Sequence, residues 1–288
     1  MSNTNNTKKN RLQDKLFMSW GIFCTFIGLL VLAVFIIDIL IDGLPRLSWD
    51  FITSLPSRRP ESAGIKTAMI GSVWVLVFTA VVSFPIGVAT AIYLEEYIKK
   101  TRIAYWLEIN ISNLAGVPSI IYGLLGLEVF VRFMKMGASI LAGSFTLALL
   151  ILPIIIVSTR EALRAVPRTI RDASFALGAS KWQTIWHQLL PASMGGILTG
   201  VILALSRAVG ETAPLIAIGT LIYVPFVPRS PMDEFSVLPI QIFNWVSRPQ
   251  HGFIINAAAA IIVLLSITFI MNGIAVYLRN RWQKKIKW

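Results

Sequence analysis

The chain has 288 residues, of which 56% are hydrophobic and only 14% charged, with a mean hydropathy of +0.72 and a net charge of +12. Soluble domains carry about 25% charged residues, so the composition excludes an ordinary soluble protein and indicates a membrane protein. The single cysteine, Cys24, excludes an intrachain disulfide framework. The two histidines, His187 and His251, stand far apart without ligand partners, so no metal site is expected.

Six apolar windows are long enough for a transmembrane helix, which needs about 20 mostly apolar residues. In chain order they cover residues 20–41, 67–94, 109–131, 138–157, 195–223 and 253–277. The predicted fold is therefore an all-α polytopic membrane protein with six transmembrane helices. The first window is interpreted as an uncleaved span, because Asp38 and Asp42 close it where a signal peptide has a small-residue cleavage site.

The distribution of lysine and arginine predicts the orientation. With the N-terminus inside, the inner segments 1–19, 95–108, 158–194 and 278–288 hold 17 basic residues and the outer segments hold 8. This bias places both termini in the cytoplasm. It also accounts for the positive net charge beside anionic lipid, so no nucleic-acid partner is predicted. The predicted domains are a polar, disordered cytoplasmic tail (1–18), a transmembrane domain (19–278) and a basic cytoplasmic tail (279–288).

Two features of the middle spans concern helix packing. Pro85 lies inside the second window and predicts a kink, which is open to interpretation as a packing irregularity or a gating hinge. The link between windows three and four is very short, so these helices should form an antiparallel hairpin. Small residues in "GVPSIIYGLLG" and "GGILTG" indicate close contacts between helices.

The inner segment between windows four and five is predicted to form two coupling helices. Pro167 suits the first turn of a helix through "RTIRDASFAL", and Gly178 suits its left-handed C-terminal position. Ser180 then caps a second helix, "SKWQTIWHQLL", and Pro191 is expected to start the next span. The exposed apolar residues would be Phe175, Leu177, Trp182 and Trp186. They suit either burial in the lipid interface or a docking surface for a soluble partner.

The stretch "DASFALGASKWQTIWHQLLP" resembles the EAA loop of the permeases of ATP-binding-cassette importers. That pattern is EAA, three residues, Gly, nine residues, Ile, any residue, Leu-Pro, and here it falls within residues 159–191. The matching positions, which the resemblance assigns to ATPase coupling, are Asp172, Ala173, Ser174, Gly178, Leu190 and Pro191. Asp, Ser and Gln188 replace the pattern's Glu, second Ala and Ile, but the spacing is intact.

The resemblance is strongest to the PstA type of phosphate-importer permease, through "EALRAVPRTIRDASFALGASKWQTI" and "SRAVGETAPLIAIG". It implies a multi-pass subunit of the plasma membrane (the bacterial inner membrane) that translocates phosphate. The implied partners are a second permease of the PstC type, an ATPase dimer of the PstB type and an external phosphate-binding protein of the PstS type. The ATPase would bind ATP and Mg²⁺, leaving this chain without a cofactor or catalytic residues. The sequence contains no G-x-x-x-x-G-K-[ST] phosphate-binding loop.

The fifth window carries Arg207 and Glu211 inside an apolar run, followed by Thr212. A charge at mid-bilayer costs from about 2.5 to more than 10 kcal/mol, so such groups pair or face water. Residues 194–224 would form a helix of about 46 Å, well beyond a hydrocarbon core of about 30 Å. We therefore expect a break near Gly210 and a new helix near Pro214.

Three interpretations of these charges remain open. The pair is a structural salt bridge, or Arg207 faces a pathway and attracts an anion while Glu211 restrains it, or the pair belongs to a proton relay. The corresponding candidate pathway residues are Arg207, Glu211 and Thr212. The alternative functions are an ATP-binding-cassette permease for sulfate, molybdate or phosphonate and, with less support, a secondary anion carrier.

Overall fold

A computed structural model describes residues 3–98, 101–220 and 223–283. These residues form twelve α-helices with short 3₁₀ and π-helical turns, and no strand. The α-helices are α1 (Asn3–Gly43), α2 (Trp49–Thr53), α3 (Lys66–Ile92), α4 (Arg102–Leu114), α5 (Ser119–Gly126), α6 (Ile140–Arg164), α7 (Arg168–Ala176), α8 (Lys181–Thr184), α9 (Leu190–Gly210), α10 (Ala213–Ala217), α11 (Leu238–Val246) and α12 (His251–Gln283). The π-helical turns are Tyr93–Tyr97, Leu127–Phe133 and Ile185–Leu189.

Five helical segments of the described chain are long and apolar enough to cross a membrane. They are Gln13–Arg46, Lys66–Tyr97, Ile140–Arg164, Lys181–Gly210 and His251–Arg281. The sixth expected span is a pair of helices, α4 and α5, bent by 100° at the intervening break. The all-α membrane fold is confirmed, and the third window, 109–131, corresponds to this bent pair and not to one continuous helix. Pro118 lacks an N–H donor and disfavours helical geometry at Val117, so the helix stops before it.

A row of buried residues at four-residue spacing lets α3 pack closely along α6. The row consists of Thr67, Gly71, Val75, Thr79, Ser83, Gly87 and Ala91. The Ser144 hydroxyl donates to the Val75 carbonyl, and the Thr79 hydroxyl donates to the Ser144 carbonyl, both at 3.3 Å. At Gly87, an added Cβ would lie 2.6 Å from Cγ2 of Ile155. The row continues without interruption past Pro85, so the two helices run in parallel with small side chains between them.

Helix α9 packs antiparallel to α6 and ends level with its middle. An added Cβ at Gly196 would meet Cβ of Ala162 at 2.6 Å, and one at Gly200 would meet Oγ of Ser158 at 1.9 Å. Each step forward along α9 is therefore a step back along α6, which places Arg207 beside Ile151, near the centre of α6. The window 195–223 therefore mislocated the helix, which begins as early as Lys181 and stops at Gly210.

The loop after α10 closes the N-terminal end of α6. The backbone N–H groups of Ile140 and Leu141 donate to carbonyls of Asp233 and Pro231 at 3.1 and 3.0 Å. The Asp233 carboxylate accepts hydrogen bonds from the backbone N–H groups of Arg229 and Ser230. These bonds hold the pKa of Asp233 below its ordinary value.

The first helix and the following loop are attached to α12. Gly43 packs directly on the backbone of Ala258 and Ala259. Nε of Arg46 donates to Oδ1 of Asn256 at 2.8 Å, and its Nη2 donates to three carbonyls of residues 60–63. The structure continues α1 back to Asn3 within the tail that was expected to be disordered, and residues 1–2 lie outside the described residues. Of the expected C-terminal tail, α12 includes 279–283, and 284–288 lie outside the described residues.

Candidate functional site

The first part of the site is the pair of opposite charges at the end of α9. Nε of Arg207 donates to Oε1 of Glu211 at 3.1 Å, and the two side chains are 39% and 16% exposed. The α-helix ends at Gly210, and Glu211 turns to extended geometry with ψ of 125°. The expected pairing and the expected break near Gly210 are both observed. Because the break lies level with the middle of α6, the charges sit at mid-depth among the surrounding helices.

The environment leaves the guanidinium of Arg207 open on one side. Among the described residues its hydrogen-bond partner is Glu211 alone, through Nε, so both Nη groups remain available to an oxyanion. Glu211 lines a narrow cleft with Ser72 and Leu147. Thr212 bonds back to the Gly210 carbonyl at 3.5 Å. The site can therefore present a fork of N–H donors beside a carboxylate that competes for it.

A short helix follows the break. Helix α10 begins at Ala213, as predicted near Pro214, but it includes only five residues. It is pressed against α5, because a Cβ added at Gly123 would lie 2.6 Å from Cα of Pro214 and 2.7 Å from Cβ of Ala217. Its position relative to Glu211 is thus fixed by the packing of α5.

The second part of the site consists of α7, α8 and the turn between them, here called the coupling elbow (residues 167–186). Pro167 precedes α7, and Gly178 has φ of +82°, a left-handed conformation that glycine adopts at little cost. The N–H of Ala179 donates to the Ser174 carbonyl and that of Gly178 to the Phe175 carbonyl, which is a Schellman motif. Ser180 then caps α8 in a capping box with Gln183. The two predicted helices and their caps are confirmed.

The coupling elbow presents an apolar surface with exposed charges of both signs. Asp172 and Ala173 are exposed on α7, while the Ser174 hydroxyl lies 2.8 Å from that of Thr184 and joins α7 to α8. The predicted exposure of four apolar side chains is observed: Phe175 46%, Leu177 89%, Trp182 59% and Trp186 56%. The rings of Trp182 and Trp186 stack with centroids 5.7 Å apart. This surface has the chemistry of a docking site or of an interfacial anchor.

The prediction that Pro191 starts a new span was wrong. The helix runs without interruption from Lys181 to Gly210. A π-helical turn over Ile185–Leu189 widens the backbone just before the proline, so the missing N–H of Pro191 does not break the helix. Leu190 is half-buried and Pro191 exposed. The coupling elbow is therefore continuous with α9, the helix that carries Arg207.

Sequence reasoning missed a cluster of charged residues beside the coupling elbow. Its members are Glu95, Glu96, Glu108, Arg160, Arg164 and Arg171, here called the ionic joint. The three arginines entered the sequence analysis only as counts of basic charge, and the three glutamates had no predicted role. Opposite charges at the ends of three apolar windows were the available signal, but nothing local in the sequence shows which of them meet.

The two predicted groups of site residues do not meet. Pro191 and Arg207 lie on the same helix sixteen residues apart, which corresponds to about 24 Å. Within the described chain, no group of three His, Cys, Asp or Glu side chains is placed to hold a metal ion.

Comparisons with known proteins bear on the family and the fold of the chain. Residues 83–284 match the profile of the family described as binding-protein-dependent transport system inner membrane component. A probable ABC transporter permease protein YqgI of Bacillus subtilis is 30% identical over 96% of this chain and 98% of its own length. The phosphate transport system permease protein PstA of Haemophilus influenzae is 33% identical over 88% of this chain and 90% of its own.

Two solved structures share the fold. One is the MetNI methionine ABC transporter in an inward-facing conformation, with a TM-score of 0.60 at 16% identity, covering 76% of this chain and 95% of the other. The second is a bacterial ABC transporter involved in the import of alginate, with a TM-score of 0.62 at 11% identity over 94% and 99% of the two chains. The chain therefore belongs to the family of binding-protein-dependent transport system inner membrane components, and is a multi-pass permease of an ATP-binding-cassette importer.

Proposed function

We propose that this permease translocates inorganic phosphate, with Arg207 and Glu211 on its pathway. The observation that carries the proposal is the likeness to curated phosphate permeases, which are 29–33% identical over 85–95% of this chain. A guanidinium suits this substrate, because its planar fork matches pairs of phosphate oxygens.

The geometry at the end of α9 supports a pathway role for Arg207. A cation at mid-depth is costly unless it is paired or hydrated, and here the side chain is both paired and 39% exposed. Phosphate would bind the Nη groups, while Glu211 would oppose tight binding so that the anion leaves again. Thr212, at the break, would supply a hydroxyl donor. A purely structural salt bridge would not require both Nη groups to lack a hydrogen-bond partner among the described residues.

Membership of the family implies an ATPase partner and a substrate-binding partner. More specifically, we propose an ATPase dimer of the PstB type, a second permease of the PstC type and a phosphate-binding protein of the PstS type. ATP and Mg²⁺ would bind to the ATPase, which would dock on the cytoplasmic segment 159–191. The residues proposed for this contact or its support are Asp172, Ala173, Ser174, Gly178, Leu190 and Pro191. Both termini would then lie in the cytoplasm, as the basic residues favour.

The experiment is uptake of labelled phosphate into vesicles that contain this chain and its three partners, with ATP inside. We expect uptake that requires ATP and the binding protein, and that excess sulfate does not reduce. Competition by sulfate as strong as that by unlabelled phosphate would show a general oxyanion importer. Uptake without ATP would indicate a secondary carrier instead.

A further inference from the structure

We infer that the ionic joint is a second connection, beside the continuous helix from α8 to α9, through which a movement of the coupling elbow reaches the helix break at Glu211. This inference rests on the proposed function only in taking the coupling elbow as the contact with the ATPase. It assigns positioning roles to residues of α3, α4 and α6 that lie in neither of the two predicted site groups.

The first step of the connection ties α7 to the end of α3. Nε and Nη2 of Arg171 donate to Oε1 of Glu96 at 3.2 and 2.9 Å. The same guanidinium donates to the carbonyls of Leu163 and Val166 at 2.9 and 2.8 Å. The Arg171 and Glu96 side chains are only 16% and 11% exposed. Because the pair is largely shielded from water, α7 cannot shift without either carrying Glu96 along or breaking the pair.

The second step passes to α4 through Glu95, the neighbour of Glu96. Oε2 of Glu95 lies 2.9 Å from Nε of Arg164 and 3.4 Å from Nε of Arg160. Both arginines also hold Glu108 of α4, each through an Nη2 atom at 3.1 Å. Arg160 is 8% exposed, so this attachment is partly within the protein. A buried ion pair is weak evidence for stability, and its best-supported use is to fix a register between elements.

The position of α4 depends strongly on the ion pairs of Glu108, because α4 makes few other contacts. Its apolar residues Ile103, Tyr105 and Trp106 are 73%, 64% and 64% exposed, so they make little contact with the rest of the described chain. A cavity of about 390 Å³ separates α4 from the ends of α3 and α6, and all four charged side chains of this step line it. Helix α4 is thus held by Glu108 across a space that leaves room for movement.

The third step runs from α4 to the break. The Tyr122 hydroxyl donates to the Leu114 carbonyl at 2.7 Å and fixes the bend between α4 and α5. Gly123 then packs α5 against Pro214 of α10, without space for a side chain. Because α10 begins two residues after Glu211, a rotation of α4 displaces the backbone beside the Arg207–Glu211 pair.

The test measures α4 directly in the full complex with its ATPase in lipid. Spin labels at Trp106→Cys on α4 and Phe269→Cys on α12 would report their distance with and without ATP. Both positions are exposed, at 64% and 71%, and the exposed Cys24 is first replaced by serine. The variants are Glu108→Gln, which releases α4, and Glu96→Gln, which leaves the bonds of Arg171 to the Leu163 and Val166 carbonyls in place. Glu128→Gln, in the exposed pair with Arg132, is the control.

We expect ATP to change the label distance in the parent and control, and not in either variant. The amount of phosphate carried per ATP hydrolysed should fall about 2- to 30-fold in each variant. Mutations of residues that carry coupling between two sites have effects of this size. The double variant should be no worse than the worse single one, because the two contacts act in series. The inference is overturned if α4 does not move in the parent, or if it moves as far in Glu108→Gln as in the parent. It is also overturned if the losses in phosphate carried per ATP multiply in the double variant. Movement of α4 without phosphate uptake would refute the proposed substrate and leave the joint in place.

Discussion

Nε of Arg207 and Oε1 of Glu211 are 3.1 Å apart, although the α-helix that would normally align them ends at the intervening Gly210. The pairing therefore depends on the backbone on both sides of the break, and a shift of α10 changes it. This makes the contact suited to alternate with a bound anion. An uninterrupted helix would fix the two side chains on one face at all times.

Replacing Glu211 by glutamine should strengthen phosphate binding. The substitution removes a negative charge that competes for the guanidinium, so we expect the dissociation constant for phosphate to fall about tenfold, while turnover slows. Equilibrium dialysis of labelled phosphate against the permease complex measures the first effect, and uptake measures the second. Glu128→Gln should change neither, and unaltered affinity in Glu211→Gln would show that this carboxylate does not face the anion.

Gly178→Trp should uncouple the complex. The residue has φ of +82° with open space around it, so the substitution strains the turn and places a ring on the surface of the coupling elbow. We expect loss of ATP-driven uptake with the permease pair still assembled. Gly137→Trp is the matched control, because Gly137 has φ of +64° and equally open surroundings outside the coupling elbow. Normal co-purification and stimulation of the ATPase in Gly178→Trp would contradict the docking role.

Asp172→Lys should weaken ATPase binding by reversing an exposed charge of α7. A reversed charge at an interface usually lowers the association rate and raises its salt dependence. Binding of the purified ATPase to the permease in nanodiscs, at two salt concentrations, measures both. Glu61→Lys, an equally exposed reversal in the loop before α3, should bind normally. If the two variants bind alike, Asp172 lies outside the contact.

Gly87→Ile should destabilise the bundle. A Cβ at this position would lie 2.6 Å from Cγ2 and 3.0 Å from Cβ of Ile155, so α3 and α6 must separate. Overpacking of this kind costs about 1–3 kcal/mol. Thermal unfolding in detergent should show a lower midpoint for Gly87→Ile than for the parent. Gly28→Ile should keep the parent midpoint, because nothing lies within 4 Å of a Cβ added at Gly28. Equal midpoints would mean that the row of small residues does not set the helix separation.

Local signals predicted much of the fold. Mean hydropathy indicated the membrane-spanning segments, because it depends only on neighbouring residues, although it misplaced the bounds of the fifth. The break at Gly210 followed from a window too long for a bilayer, and the caps at Gly178 and Ser180 followed from turn chemistry. The 100° bend before Pro118 was missed, although Gly116 and Pro118 stand in the sequence, because averaging over an apolar window hides them.

The ionic joint could not be predicted in the same way. Its hydrogen bonds join residues 56, 69 and 75 positions apart, and any acidic residue near a span end was an equal candidate partner. The parallel packing of α3 on α6 determines which charges pair, because it brings Glu95 level with Arg164. That register depends on the small residues between the helices, whose effect appears only when both are placed together.

The central claim is that Arg207 lies on the route of phosphate, and the most direct measurement is ATP-dependent phosphate uptake by vesicles containing Arg207→Gln. Arg132→Gln is the control, since Arg132 also pairs with a glutamate four residues away but is 65% exposed at the end of its helix. We predict that Arg207→Gln assembles with its partners and carries no phosphate, while Arg132→Gln carries it at the parent rate. Uptake by Arg207→Gln at the parent rate would contradict the account.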